Sequence, residues 1–163
     1  MCVHRRKPPR TPYALIMSRS LIEVAADLDS LTVLDFDPMN LESRGEERLQ
    51  AICVEIGEGH DAQRWAPLLF SFMERLDEAD LGSPGPVVHL LESWIGYRPL
   101  LVESLQRKPT SLTVWMANRV LNSDPPDAAK WLNMMRSVET HPAASTEAQA
   151  DARDFLEYQA ARR

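Results

Sequence analysis

Residues 65–86 read Trp-Ala-Pro-Leu-Leu-Phe-Ser-Phe-Met-Glu-Arg-Leu-Asp-Glu-Ala-Asp-Leu-Gly-Ser-Pro-Gly-Pro. The first half decides the fold class. Trp65, Leu68, Leu69, Phe72, Met73 and Leu76 recur at three- and four-residue intervals, the spacing that gathers apolar side chains on one face of a helix. Pro67 must then lie in the first turn or kink the helix, because it has no N–H to donate. The second half breaks the helix and starts the next. Ser83 is placed to cap it and Pro84 to occupy its first position, where a missing N–H costs nothing.

The same grammar extends in both directions. Ser20-Leu-Ile-Glu23 is a capping box, in which each side chain satisfies the other's free backbone N–H, and opens a helix to about Asp29. Residues 30–40 form an irregular connection containing Pro38. Asn40 is expected to cap a second helix reaching Gly57, with Leu49, Ile52, Cys53 and Ile56 as its buried stripe. Beyond residue 86 the pattern predicts helices to about Ile95, from Pro99 to Arg107, from Thr110 or Ser111 through Val114, Trp115 and Leu121, and from Pro125 through Trp131, Leu132, Met135 and Val138. A second capping box, Thr146-Glu-Ala-Gln149, opens a last helix presenting Ala148, Ala152, Phe155, Leu156 and Gln159.

Composition agrees. Leu and Ala together number 37 of 163 residues, Val and Ile only 15, a balance that favours helix over sheet. The expected fold is all-α: antiparallel helix hairpins arranged as a short HEAT- or armadillo-like solenoid or an irregular helical bundle. Residues 1–16, with Pro8, Pro9, Pro12 and four cations, read as a disordered basic tail that precedes a single helical domain over 17–163. The charge-free runs, such as Trp65 to Met73, are far short of a membrane span. The five apolar residues before Arg19 are too few for a secretory core, so the cytoplasm is the expected compartment. Cys2 and Cys53 make neither a disulfide framework nor a zinc spacing. Cys53 falls on an apolar stripe and reads as a small core residue.

The net charge of −6 is unevenly spread. Residues 1–12 carry Arg5, Arg6, Lys7 and Arg10 and no acid, residues 13–80 carry 15 acids against 5 bases, and the remainder is balanced. An acidic body repels phosphate, which disfavours nucleic acid as a partner and favours a basic protein surface.

No phosphate loop, nucleophile elbow or zinc helix is present. Glu55, Glu58, His60 and Asp61, the pair His89 and Glu92, and the Asp-x-Asp pairs at 27/29 and 35/37 are spaced loosely for metal or acid–base chemistry and read as side chains solvated at the surface. No cofactor and no catalytic residue is expected. The four tryptophans read as core. The acids at helix C-termini are more informative. Asp27 and Asp29 end the first helix; Glu74, Asp77, Glu78 and Asp80 end the third. There the helix dipole is already negative, and each acid costs roughly 0.3–1 kcal/mol. Residues that are locally unfavourable are candidates for function. If the first three helices run up, down, up, both clusters share one edge, a candidate docking site for a basic protein.

Three runs within residues 81–122 carry a resemblance: Leu-Gly-Ser-Pro-Gly-Pro-Val-Val-His-Leu-Leu-Glu, Leu-Val-Glu-Ser-Leu-Gln-Arg-Lys-Pro-Thr and Thr-Val-Trp-Met-Ala-Asn-Arg-Val-Leu-Asn. They resemble small bacterial all-helical proteins with HEAT-like repeats, some of which are immunity proteins of toxins used between competing bacteria. The resemblance covers about a quarter of the chain and brings no catalytic motif. It implies a cytoplasmic protein that binds and blocks one cognate toxin, such as a nuclease with a basic cleft. A generic helical adaptor without enzymatic activity is the alternative.

Overall fold

A computed structural model describes residues 19–58 and 62–162. The basic segment, Cys2, His60 and Asp61 lie outside them. The described residues form eight α-helices and one 3₁₀ turn, with no strand among them. The helices are α1 (Leu21–Asp29), α2 (Gly45–Gly57), α3 (Ala62–Arg75), α4 (Gly85–Ser93), α5 (Tyr97–Arg107), α6 (Ser111–Asn122), α7 (Ala128–Val138) and α8 (Thr146–Arg162). None of these helices is long and apolar enough to cross a membrane.

Capping chemistry explains several starts. Ser20 Oγ accepts from the Glu23 N–H, and the Glu23 carboxylate accepts from the Ser20 N–H, closing the expected box. Thr110 caps α6 in the same way with Thr113. Elsewhere the starts move. Asn40 does not cap α2; its Oδ1 accepts from the Glu42 N–H in a tight turn, and α2 begins only at Gly45. Pro67 lies inside α3, past its first turn. Ser83 and Pro84 both precede α4, whose first residue is Gly85. That helix ends at Ser93, and Gly96, in the left-handed region at φ 92°, leads directly into α5. Pro125 precedes a turn, so α7 starts at Ala128. At α8 the capping side chain is Ser145, which accepts from the Ala148 N–H, one residue before the expected box.

Packing pairs helices that are sequence neighbours or next-but-one neighbours. The main pairs are α1 with α3, α2 with α4, α3 with α5, α5 with α7 and α6 with α8, together with α2–α3, α3–α4, α5–α6, α6–α7 and α7–α8. This is the wiring of stacked helix hairpins. One apolar core threads the stack, from Val24, Leu28 and Leu49 through Leu69, Phe70 and Leu91 to Leu101, Met116, Met135 and Ala152. Cys53 is in it, as expected, and burial pushes its thiol pKa up to about 12. Of the four tryptophans, Trp65 and Trp131 are buried. Trp94 and Trp115 are only half-buried against the core, and the Trp115 ring lies under the Arg119 guanidinium, 4.7 Å from its centroid.

Candidate functional site: an acidic edge

The odd-numbered helices all end on one edge, and hydrogen bonds join their ends in sequence. Arg75, last in α3, donates to the carbonyls of Leu28 (2.7 Å) and Leu31 (2.9 Å) at the end of α1. Lys108, just past α5, donates to the carbonyl of Glu74. His141, past α7, donates from Nε2 to the carbonyl of Gln106 in the last turn of α5 (2.9 Å), while its Nδ1 accepts from the Ala143 N–H. The connections into α2, α4, α6 and α8 therefore lie on this same edge. Acids contributed by separate parts of the sequence meet there.

Asp29 and the Asp77–Asp80 cluster share the edge, as the up-down-up arrangement requires. Asp29 lies 3.9 Å from Arg75. Asp77, Glu78 and Asp80 follow α3 and line a cleft of about 390 Å³ with Leu76, Ser111 and Glu147. Asp80 and Gly82 also line a second cleft of about 330 Å³, with Asp35, Phe36, Glu46 and Glu47. Two of the six candidate acids do not join them. Asp27 is held by Arg19, which also reaches Glu55 near the end of α2. Both acids raise the Arg19 pKa, Asp27 the more strongly. Glu74 is buried, and its carboxylate is fully engaged. Ser104 Oγ donates to it at 2.6 Å, and Arg107 donates through two nitrogens at 2.8 and 2.9 Å. Glu74 is thus a strut between α3 and α5, and its hydrogen bonds hold the Arg107 pKa above its ordinary value.

The structure also corrects the electrostatic argument. Acids past the C-terminus of α3 looked unfavourable when only their own helix was considered. In the fold, helix N-termini alternate with C-termini along the edge, and the N-terminal ends carry positive partial charge. Asp77 accepts from the Ser111 N–H at the start of α6 (3.3 Å). Glu46 and Glu47 lie in the first turn of α2, and Glu147 in the first turn of α8. Asp80 accepts from the Gly82 N–H within its own turn. Asp35 accepts from the backbone N–H and the hydroxyl of Thr32, which lower its pKa, the backbone bond most. The fold thus accommodates these charges cheaply, and of them Asp35 and Glu47 also face Arg48 and Arg44. Among the described residues, Glu42, Glu46, Asp77, Glu78, Asp80 and Glu147 have no salt-bridge partner.

Glu46 and Glu147 were absent from the expected set because each reads locally as ordinary first-turn polarity. Their convergence with Asp80 and Asp77 depends on tertiary contacts between helices far apart in sequence. The pair His89 and Glu92 is not formed; Glu92 instead accepts from Arg119 Nε at 2.8 and 3.1 Å. Among the described residues no three His, Cys, Asp or Glu side chains converge as a metal-binding group. Comparison of the chain with known protein families, curated proteins and solved structures finds no match.

Proposed function

We propose that this chain is a stoichiometric protein inhibitor that docks a basic partner on its acidic edge, and that it serves as an immunity protein for a nuclease-type bacterial toxin. The observation that carries the reading is the row of acids on one edge that have no salt-bridge partner among the described residues, drawn from three separate stretches of sequence: Glu42 and Glu46, Asp77 to Asp80, and Glu147. A surface of this kind raises the encounter rate with a basic cleft and repels phosphate. Inhibition then needs occupancy alone, without chemistry by this chain. The resemblance of residues 81–122 to HEAT-like immunity proteins supports the same assignment.

The test is co-purification with the product of the gene immediately upstream, followed by a nuclease assay. A one-to-one complex that abolishes cleavage is the expected result. Changing Asp77, Glu78 and Asp80 together to Asn, Gln and Asn should slow association about tenfold at low salt. The difference should shrink as salt screens the field beyond roughly 8 Å. A complex whose on-rate ignores both salt and the triple change would refute the acidic edge as the docking site.

A further inference from the structure

The connection between α1 and α2 exposes large apolar side chains beside the acids. Leu34 is 71% exposed, Met39 85% and Leu41 98%. Scattered exposed apolar residues are ordinary, but three within eight residues form a patch. The backbone holds them together. The Asp37 N–H donates to the Leu34 carbonyl, and the Asn40 N–H to the Asp37 carbonyl. Each such turn keeps its end Cα atoms within about 7 Å, so residues 34 to 40 span less than about 14 Å. The loop is also pinned from below. Phe36 is buried in the core, Asp35 is bonded to Thr32 and lies 3.6 Å from Arg48, and a Cβ at position 45 would collide with the Asp35 backbone. The patch is therefore presented by a fixed backbone, which lowers the loop-ordering cost of binding.

We propose that Leu34, Met39 and Leu41 are the apolar anchor of a docking surface whose occupant is an amphipathic cationic segment of a partner protein. The inference rests on the acidic-edge reading and deepens it by naming the segment's chemistry. Charge complementarity selects this occupant. The cleft beside the patch is lined by Asp35, Glu46, Glu47 and Asp80, with Arg44 its only cation among the described lining residues. A partner's Leu or Phe would cover the patch while flanking Lys or Arg heads reach the carboxylates. A second copy of this chain would bring like charge to like charge.

The probes are two fluorescent 18-residue peptides with a Lys face, one with Leu and the other with Ser on the opposite face. They are titrated against the full chain at two salt concentrations. The Lys/Leu peptide should bind at least tenfold more tightly than the Lys/Ser peptide. Leu34→Ser with Leu41→Ser should erase that advantage by raising the off-rate, with melting temperature and salt dependence unchanged, because both side chains are already in water. Ile95→Ser, fully exposed in the α4–α5 connection at the other edge, should change nothing. The acidic triple change should weaken both peptides. Equal binding of the two peptides, indifferent to Leu34 and Leu41 but weakened by the acidic change, would overturn the apolar anchor and leave the acidic edge standing. Peptide binding that ignores the acidic change and salt would overturn both. A wild-type dimer lost on Leu34→Ser with Leu41→Ser would make a second copy the occupant and overturn the proposal. So would a tenfold gain in peptide affinity when Arg5, Arg6, Lys7 and Arg10 are changed to Gln in the full chain, which would assign the surface to the chain's own N-terminal segment.

Discussion

Replacing Glu74 by Gln tests whether this acid is a strut or a docking group. The Glu74 side chain is 10% exposed and that of Arg107 52%. Gln can still accept one hydrogen bond, from Ser104 or from Arg107, but its NH₂ faces another donor and the charge is gone. Breaking a fully buried pair costs about 3–5 kcal/mol. Here Arg107 is half in water and regains hydration when released, so the expected loss is about 2–3 kcal/mol. For a chain of this length that lowers the melting point by about 5–10 °C. Urea unfolding followed by tryptophan fluorescence at pH 7 measures the free energy. The cycle with Arg107→Gln isolates the pair, and a coupling of about 1–2 kcal/mol is expected. A Glu74→Gln variant within 0.5 kcal/mol of wild type, or a coupling near zero, would refute the strut. Weaker partner binding at unchanged stability would return Glu74 to the docking set.

Other outcomes are as definite. Cys53, examined in a Cys2→Ser background, should resist thiol reagents at pH 8 and react only on unfolding. Because its folded pKa is raised to about 12, stability is intact below the ordinary thiol value and declines as pH rises above it; ready labelling of the native protein would contradict the burial. Trp131→Ala should cost about 3–5 kcal/mol, as for emptying an aromatic core site. Trp131→Phe should cost much less, since the indole N–H has no partner among the described residues and its removal relieves an unmet donor. Trp115→Ala, at a half-buried ring, should cost less than Trp131→Ala; equal losses in urea melts would contradict the difference in burial. The triple change at Asp77, Glu78 and Asp80 should leave stability unchanged or lower it by about 0.5 kcal/mol, because Asp77 faces the positive start of α6; a gain measured by the same melts would mean that repulsion dominates.

The helical architecture was legible because its signals are local. The Ser20–Glu23 box and the Thr110 cap span only four residues each, and the stripe from Trp65 to Leu76 needs only helical periodicity. Boundaries were missed where one chemistry serves two purposes. Asn40 caps a turn with the same oxygen that would cap a helix. Pro84 and Pro125 each precede their helix rather than occupy its first position. The edge itself was half legible. Asp29 and Asp77 could be placed on one side by counting helix directions. The alliance of Asp77 with α6, and of Glu74 with α5, could not, because it depends on which helix stacks on which. One signal for Glu74 was present: it follows Phe70 by four residues and so shares its inward face, and both are buried.

Because the main helix pairs are sequence neighbours or next-but-one neighbours, most of the chain's contacts are local along the sequence, which favours rapid folding. Cooperativity should then pass from hairpin to hairpin, as in a one-dimensional lattice. The terminal helix α1, packed mainly on α3, should open first, while the middle of the array, around α3 and α5, should exchange its amides last. A partner gripping the edge would touch the connections of several units at once and clamp this stepwise melting. Bound protein should therefore unfold more nearly as one block, and occupancy would be visible in hydrogen exchange along the whole of α1, beyond the Asp29 end that lies on the edge.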